Sequence, residues 1–315
     1  MPALFALLAG CASIPEQASR LPAGAGGVEL VETPFYPQER YQCGPAALAT
    51  LLDMSGVSVS LPAVTEQVYI PQLRGSLQAE LIAATRNAGR VPYVIDPELS
   101  ALAEELRAGR AVLVLQNLGV AALPRWHYAV VIGIDPAGNE VVLRSGVDRR
   151  RVTPKKTFLR TWARSGFWAM TVIRPDELPA RADRLRYFES VAALEQVGQL
   201  DAAEAGWRTA LSEWPDDRVV LFGLGNVQFA KGDWAGAERH YRALLALAPG
   251  LAAVRNNLAL SLAYQSRFAE SLEEIARGLR DTSDPRLRDE LRASMDDVLA
   301  LREEHPNQLP AAESP

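Results

Sequence analysis

Two side chains in the first half of the sequence are of the types that work together as a nucleophile and its base. Cys43 stands directly before GPAALATLLDMSG, whose apolar residues recur at helical spacing and whose Gly56 predicts the helix end. The N–H groups at a helix N-terminus favour a thiolate, so we expect a lowered pKa for Cys43. His127 opens the apolar strand WHYAVVIGID and is the only histidine between residues 28 and 175. We therefore expect His127 to take the thiol proton and to deliver it to a leaving amine.

An oxyanion that forms beside Cys43 needs hydrogen-bond donors. The backbone N–H groups at the start of the helix point toward such a position. A side-chain amide would complete the set, and both Gln38 and Gln42 lie shortly before the cysteine. On spacing alone, either glutamine fits this role.

A third group should orient the His127 ring, and we expect it on the neighbouring strand EVVLRSG. Ser145 stands there where an Asp or Asn is usual, and Asp148 is the nearest carboxylate beyond it. Asp135 lies at the far end of the His127 strand, which is too remote at about 3.3 Å per residue. Ser145 is therefore the candidate third member of the site.

The segments around these residues predict an α+β domain over residues 28–175. Beyond the helix that follows Cys43, helices are predicted over 76–89 and 99–109, and strands over 91–95, 111–117, 126–135, 140–146 and 167–173. The turn sequence PAGN joins two of these strands into an antiparallel hairpin. Helices come first and the antiparallel sheet dominates the end, which is typical of the α+β class.

Residues 183–304 have a different pattern, because nearly continuous helix repeats with a period of about 34 residues. The aligned positions are Gly198, Gly232 and Ser266; Leu200, Trp234 and Phe268; Ala203, Ala237 and Ser271; Trp207, Tyr241 and Ile275; Leu211, Leu245 and Leu279; and the closing Pro215 and Pro249. This pattern resembles the tetratricopeptide repeat and predicts an all-α domain of stacked helix pairs. Residues 285–304 are predicted to form a capping helix, and 305–315 a disordered tail.

The N-terminal residues resemble a targeting signal. Residues 1–11 hold a short apolar run that ends in Leu8-Ala9-Gly10-Cys11, which resembles the bacterial lipobox; the run lacks a basic residue, so we expect an incomplete signal. The resemblance implies cleavage before Cys11 and lipid on its thiol, and Ala12 after it favours the outer membrane of a Gram-negative cell, facing the periplasm. Residues 12–27 are predicted to be the tether.

The motifs QERYQCGPAALATLL and WHYAVVIGID resemble the bacteriocin-processing, double-glycine-leader branch of the papain-like cysteine peptidases over residues 33–173. With the lipobox and the repeats, the sequence is similar to a bacterial lipoprotein subfamily that joins such a domain to tetratricopeptide repeats. The resemblance implies that Cys43 is the nucleophile, His127 the base and Gln38 the oxyanion donor. In the family the glutamine usually lies six residues before the cysteine, and Arg144-Ser145-Gly146 replaces the usual Asp-Pro pair.

Length, charge and composition exclude several classes of function. The chain has 315 residues, which suits two domains, and a net charge of −5, which excludes a globally basic nucleic-acid binder. Two cysteines cannot form a disulfide framework, and three isolated histidines give no zinc-binding spacing, so we expect neither a metal nor a cofactor.

These observations predict an envelope-anchored cysteine peptidase whose helical repeats recruit a peptide substrate or a protein partner. Two alternatives remain open: a degenerate peptidase that binds peptides without cutting, and a repeat scaffold whose first half is a structural platform. The basic run Arg149-Arg150-Arg151 with Lys155-Lys156 predicts a solvated loop, or else contact with anionic lipid headgroups.

Overall fold

The computed structural model describes residues 14–21, 26–38 and 42–304. The signal and lipobox predicted over 1–11, with Cys11, and the tail predicted over 305–315 lie outside the described residues. The chain divides into two compact units. The first runs to Arg174 and includes Pro179–Ala182; the second comprises Pro175–Leu178 and the residues from Asp183 onward. Within the described ranges, no helix combines the length and the apolar character that a membrane span requires.

The first unit mixes helices and strands. Its helices are α1 (Glu16–Ser19), α2 (Cys43–Met54), α3 (Leu61–Val68), α4 (Gln78–Asn87), α5 (Leu99–Arg107) and α6 (Lys155–Ala163). Its strands are β1 (Val28–Glu29), β2 (Val91–Val94), β3 (Val112–Asn117), β4 (Trp126–Asp135), β5 (Glu140–Ser145), β6 (Asp148–Pro154) and β7 (Ala169–Ile173).

These strands form one sheet in the order β2-β7-β3-β4-β5-β6, and β1 pairs with the far end of β4. Every pairing is antiparallel. β4 lies between β3 and β5, and the β4–β5 register shifts between Val131 and Gly133. The central place of β4 holds its first residues, including His127, within the sheet.

Helix α2 packs against one face of β4. Leu48 and Leu51 of α2 share a core cluster with Tyr128, Val130 and Ile132, which alternate along β4 and therefore point to the same side. The residues between them are buried as well, so β4 is covered on both faces, and α5 also contacts it. This packing brings the start of α2 beside the start of β4.

The helices and strands predicted around the site are present, with each end within two residues of the prediction. The solvated loop predicted over the basic run is wrong, because Arg149–Arg151 lie in β6 and Lys155 begins α6. β6 is an edge strand in which nearly every residue is exposed, so it lacks the apolar alternation that reveals a half-buried strand. Part of the predicted tether forms α1, where Ala18 is buried.

The second unit is entirely helical in the part that the structure describes. It consists of α7 (Arg184–Gln196), α8 (Leu200–Glu213), α9 (Arg218–Ala230), α10 (Trp234–Leu247), α11 (Ala252–Ala263), α12 (Phe268–Asp281) and α13 (Pro285–Glu304). Asp183, Asp217 and Asp233 cap α7, α9 and α10 by accepting backbone N–H bonds in the first turn. Consecutive helices pack together from α7 to α13, as stacked helix pairs require.

The backbone supports the alignment of the repeats. Gly198, Gly232 and Ser266 have φ values of 75°, 79° and 62°, so the turn inside each pair has the same left-handed conformation. The aromatic position is buried in every pair, since Trp207, Tyr241 and Ile275 are at most 2% exposed. These side chains pack between helices and do not form a ligand site.

Candidate active site

Cys43 is the first residue of α2, so the helix begins one residue earlier than predicted. Gln42 precedes the helix with φ −100° and makes no side-chain cap, while its carbonyl accepts the Ala46 N–H at 3.1 Å. Pro45 lies within the first turn, where its missing N–H costs nothing. The thiol therefore stands where the first free N–H groups of the helix begin.

Gly44 allows a close approach to the helix start. A Cβ atom on Gly44 would lie 2.5 Å from Ser76 Oγ and 3.5 Å from a ring carbon of Tyr128. Ser76 Oγ is shielded from solvent and has no hydrogen-bond partner among the described residues. An unpartnered hydroxyl thus lies against the residue that follows Cys43.

His127 is the second residue of β4 and is half-buried. Its Nε2 atom lies 2.8 Å from Ser145 Oγ, and Ser145 is the last residue of β5 with 5% of its surface exposed. The structure therefore brings together the histidine and the serine of the neighbouring strand. The contact occupies Nε2 and leaves Nδ1 as the other ring nitrogen.

Gln38, Cys43 and His127 line one cavity with a volume of about 990 Å³. The Gln38 N–H donates to the Gly146 carbonyl at 3.3 Å, which holds the main chain at Gln38 against the β5–β6 turn. Gln42 is not among the residues that line the cavity. Of the two candidate glutamines, only Gln38 faces the same space as the thiol and the imidazole.

Burial lowers the pKa of His127, and together with the nearby positive charges of Arg151 and Arg125 it brings the value from 6.5 to about 4. No carboxylate among the described residues opposes this effect. Asp148 lies 3.5 Å from Arg151, and its side chain is half exposed. Asp135 is at the far end of β4, where it accepts the Ala137 N–H. His127 is consequently neutral at pH 7.

Burial raises the pKa of the Cys43 thiol. Backbone N–H groups of Tyr128, Gly44 and Cys43 itself act in the opposite direction, because they stabilise the thiolate. The expected lowering of the Cys43 pKa is therefore not found: the desolvation of the sulfur outweighs the donors at the helix start. The resting pair is a neutral thiol and a neutral imidazole.

A neutral pair can still perform nucleophilic chemistry if the proton leaves the sulfur as the sulfur attacks. The N–H groups around Cys43 are then in place for negative charge that develops during the reaction. Sequence reasoning did not identify Ser76, Arg125 or Arg151 as neighbours of the site. Ser76 directly follows a glycine before α4, but nothing in its local pattern separates it from an ordinary loop serine.

Comparison with known proteins agrees with this architecture. Residues 30–170 match the model of the Peptidase_C39 like family, and residues 219–251 match the tetratricopeptide repeat. The chain contains a Peptidase_C39-like domain and a tetratricopeptide repeat. With the antiparallel sheet and the helical second unit, these matches establish an α+β papain-like cysteine peptidase fold followed by an all-α repeat domain.

Two solved structures are similar to parts of the chain. One is described as a C39-like peptidase from Bacillus anthracis; it has 16% identity and a TM-score of 0.40, and the match covers 47% of this chain and 98% of that chain. The other is an O-GlcNAc transferase mutant from Thermobaculum terrenum, with 20% identity and a TM-score of 0.33, covering 36% of this chain and 23% of that chain. A search of the curated proteins finds no match.

Proposed function

We propose that the C39-like domain is a cysteine peptidase in which Cys43 is the nucleophile and His127 the base. The observation that carries this proposal is the shared cavity, which is lined by Cys43, His127 and Gln38. Cys43 begins a helix, and His127 Nε2 is held by Ser145, so Nδ1 is the nitrogen that would accept the thiol proton.

In this mechanism Cys43 Sγ attacks the peptide carbonyl carbon while His127 takes the thiol proton. The carbonyl oxygen becomes an oxyanion that accepts hydrogen bonds from the Gln38 amide and from N–H groups at the start of α2. His127 then gives the proton to the amine nitrogen as the C–N bond breaks. A water molecule, deprotonated by His127, hydrolyses the thioester and restores the thiol.

The glutamines offer a matched test of the oxyanion assignment. Gln38 lines the cavity, whereas Gln42 lies four residues later outside it. Gln38→Ala should lower kcat by roughly 10²–10³, the effect of losing one oxyanion donor, and Gln42→Ala should have little effect. Equal losses in both variants would contradict the assignment of Gln38.

A second candidate function is peptide binding without cleavage. It is favoured by the absence of a carboxylate near His127 among the described residues and by the raised pKa of Cys43. A thiol-reactive peptide probe separates the two functions. A peptidase requires that the probe label Cys43 and that His127→Ala abolish the labelling, whereas a binding module would retain the peptide without this dependence.

We also propose that Cys11 is acylated and anchors the protein to the outer membrane, facing the periplasm. The support is the Leu8-Ala9-Gly10-Cys11 motif. Cys11→Ser should release the protein into the soluble fraction. Unchanged fractionation with the outer membrane would contradict the anchor.

The repeats are proposed to recruit a substrate or a protein partner. Their helix pairs resemble the tetratricopeptide repeat, whose stacked pairs form extended concave surfaces that bind other molecules. The candidate catalytic residues all lie in the first unit, so the repeats are left for binding. Comparing proteins captured by the full chain with those captured by a Cys43→Ala variant would separate partners from short-lived substrates.

A further inference from the structure

The cavity beside Cys43 has an uneven charge. Its charged lining residues are Arg74, Arg125 and Arg164, and no Asp or Glu of the described chain lines it. Arg151 adds to this field from outside the lining, because it and Arg125 both disfavour the charged form of His127. A peptide that enters the cavity therefore meets positive charge close to the bond to be cut.

The mouth of the cavity also exposes large apolar side chains. Leu73 and Leu77 come from the α3–α4 connection and are 58% and 49% exposed; Trp126, at the start of β4, is 55% exposed. Exposed apolar groups that gather at a cavity mark a binding surface rather than ordinary surface scatter. A volume of about 990 Å³ has room for several residues of an extended chain.

The loop that carries Arg125 is held in place before any ligand binds. Asn117 is 2% exposed, and its Oδ1 atom accepts the N–H groups of Gly119 and Arg125, each at 2.9 Å. The Leu118 N–H donates to the Arg125 carbonyl at 2.8 Å. A guanidinium on such a fixed backbone loses less entropy on binding than one on a mobile loop.

A polar group in the same cavity lacks a partner. Ser76 Oγ is shielded from solvent and unbonded within the described chain, and Ser76 lines the cavity with Cys43. A buried hydroxyl in this state costs free energy, which a hydrogen bond to a bound main chain would recover. This observation is independent of the arginines and also points to a polar ligand in the cavity.

We propose that the cavity selects extended peptides that place an apolar side chain against Trp126 and Leu77 and an acidic side chain toward Arg125, within a few residues of the scissile bond. The inference rests on the proposed function, because it assigns the substrate class of that same site. Charge complementarity carries it: among the described residues the lining holds three arginines and no Asp or Glu, which favours an anionic residue and rejects a cationic one.

The test uses acetylated, amidated decapeptide libraries with one position fixed as Leu or Ala, another as Glu, Gln or Lys, and the rest randomised. Binding to the Cys43→Ala protein is measured by competition with a fluorescent pool. We expect the Leu/Glu pools to bind about tenfold more tightly than the Leu/Gln pools and the Lys pools to bind least, with a smaller difference in 0.5 M salt (roughly a 4 Å screening length).

Two arginine variants locate the effect. Arg125→Gln should remove most of the Glu preference, and Arg125→Glu should reverse it toward Lys. Arg107→Gln is the matched control, because Arg107 is exposed at the end of α5 and does not line the cavity. Equal binding of Glu and Gln pools, or equal effects of the Arg125 and Arg107 variants, would overturn the inference. The inference would also be overturned if peptides bound tightly only with a free C-terminal carboxylate in place of the amide. The cavity would then recognise the terminal carboxylate and not an acidic side chain.

Turnover of the same libraries by the unaltered protein separates this inference from the proposed function. Cleavage that depends on Cys43 but ignores the Glu position overturns the inference alone. Glu-dependent binding without any Cys43-dependent cleavage overturns the peptidase and leaves the specificity of the cavity standing.

Discussion

The His127 imidazole lies in surroundings that disfavour its charged form. Its pKa is about 4 in the folded protein, whereas the ordinary value is 6.5. The unfolded chain therefore binds a proton more readily between these two values. The stabilisation due to neutral His127 is complete above about pH 6.5 and is lost as the pH falls toward 4.

We expect the free energy of unfolding to be lower at pH 5 than at pH 7, with about 2 kcal/mol of the loss due to His127. Denaturant titrations at both pH values measure the loss. In His127→Gln the same comparison should show a loss that is smaller by this amount, because glutamine does not titrate. Identical pH dependence in both proteins would contradict the assigned surroundings of His127.

Ser145 holds His127 without supplying charge. Ser145→Asp would place a carboxylate near Nε2, raise the pKa of His127 and stabilise the imidazolium that forms during the reaction. We expect kcat/KM to rise about tenfold, and we expect Ser145→Asn, which orients without charge, to remain near the original value. Loss of activity in Ser145→Asp with retained folding would show that the neutral contact is itself required.

At the scale of elements, glycines set how closely the repeat helices approach. Gly223 lies in α9, where a Cβ atom would come within 2.4 Å of the Trp207 ring, and Trp207 is 2% exposed. The ring cannot retreat into solvent, so a methyl group at this position overpacks the α8–α9 contact.

Three glycine-to-alanine variants separate packing from backbone conformation. Gly223→Ala should lower the stability of the second unit by about 1–3 kcal/mol through overpacking. Gly198→Ala, at φ 75° in open space, should cost about 1 kcal/mol through backbone strain alone. Gly250→Ala meets nothing within 4 Å and serves as the control. Thermal unfolding ranks the three, and a stable Gly223→Ala protein would contradict the tight helix contact.

At the scale of the whole molecule, the segment that connects the two units belongs partly to each of them. Pro175–Leu178 belong to the second unit, where the Pro175 carbonyl accepts the Thr209 hydroxyl at 2.9 Å and the Glu177 carbonyl accepts the Tyr187 hydroxyl at 3.3 Å. Arg181 belongs to the first unit and pairs with Glu98 and Glu104.

A fragment of residues 175–304 should therefore fold on its own as a helical array, because repeats contact mainly their neighbours. A fragment of residues 180–304 should be less stable by about 1–2 kcal/mol, since it lacks two carbonyl acceptors of the second unit. Circular dichroism and thermal unfolding compare the two. A disordered 175–304 fragment would mean that the repeats depend on the first unit.

The local sequence pattern was sufficient to predict much of this fold. The helix at Cys43 and the hairpin that carries His127 and Ser145 are each evident from a few adjacent residues, and the turns at Gly198, Gly232 and Ser266 are evident from the period of about 34 residues. β6 escaped prediction because an exposed edge strand has no apolar alternation.

The electrostatics of the site could not be predicted in the same way. Cys43 packs against a core cluster that includes Tyr128, more than 80 residues along the chain, and the burial of its sulfur outweighs the effect of the helix start on the thiol pKa. Arg151 reaches the surroundings of His127 only through the pairing of β4, β5 and β6. Such effects arise from packing between distant segments, which local periodicity does not record.

The most direct test of the central claim is cleavage of the peptide libraries by the full chain and by its Cys43→Ala and His127→Ala variants, each first shown to be folded by circular dichroism. The account predicts that Cys43→Ala abolishes turnover. His127→Ala should lower kcat/KM at pH 7 by at least roughly 10³-fold, which is the effect of losing one member of a catalytic unit. The reason is that the thiol is protonated at pH 7 and cannot attack without a base. Turnover by folded Cys43→Ala at the unaltered rate would contradict it.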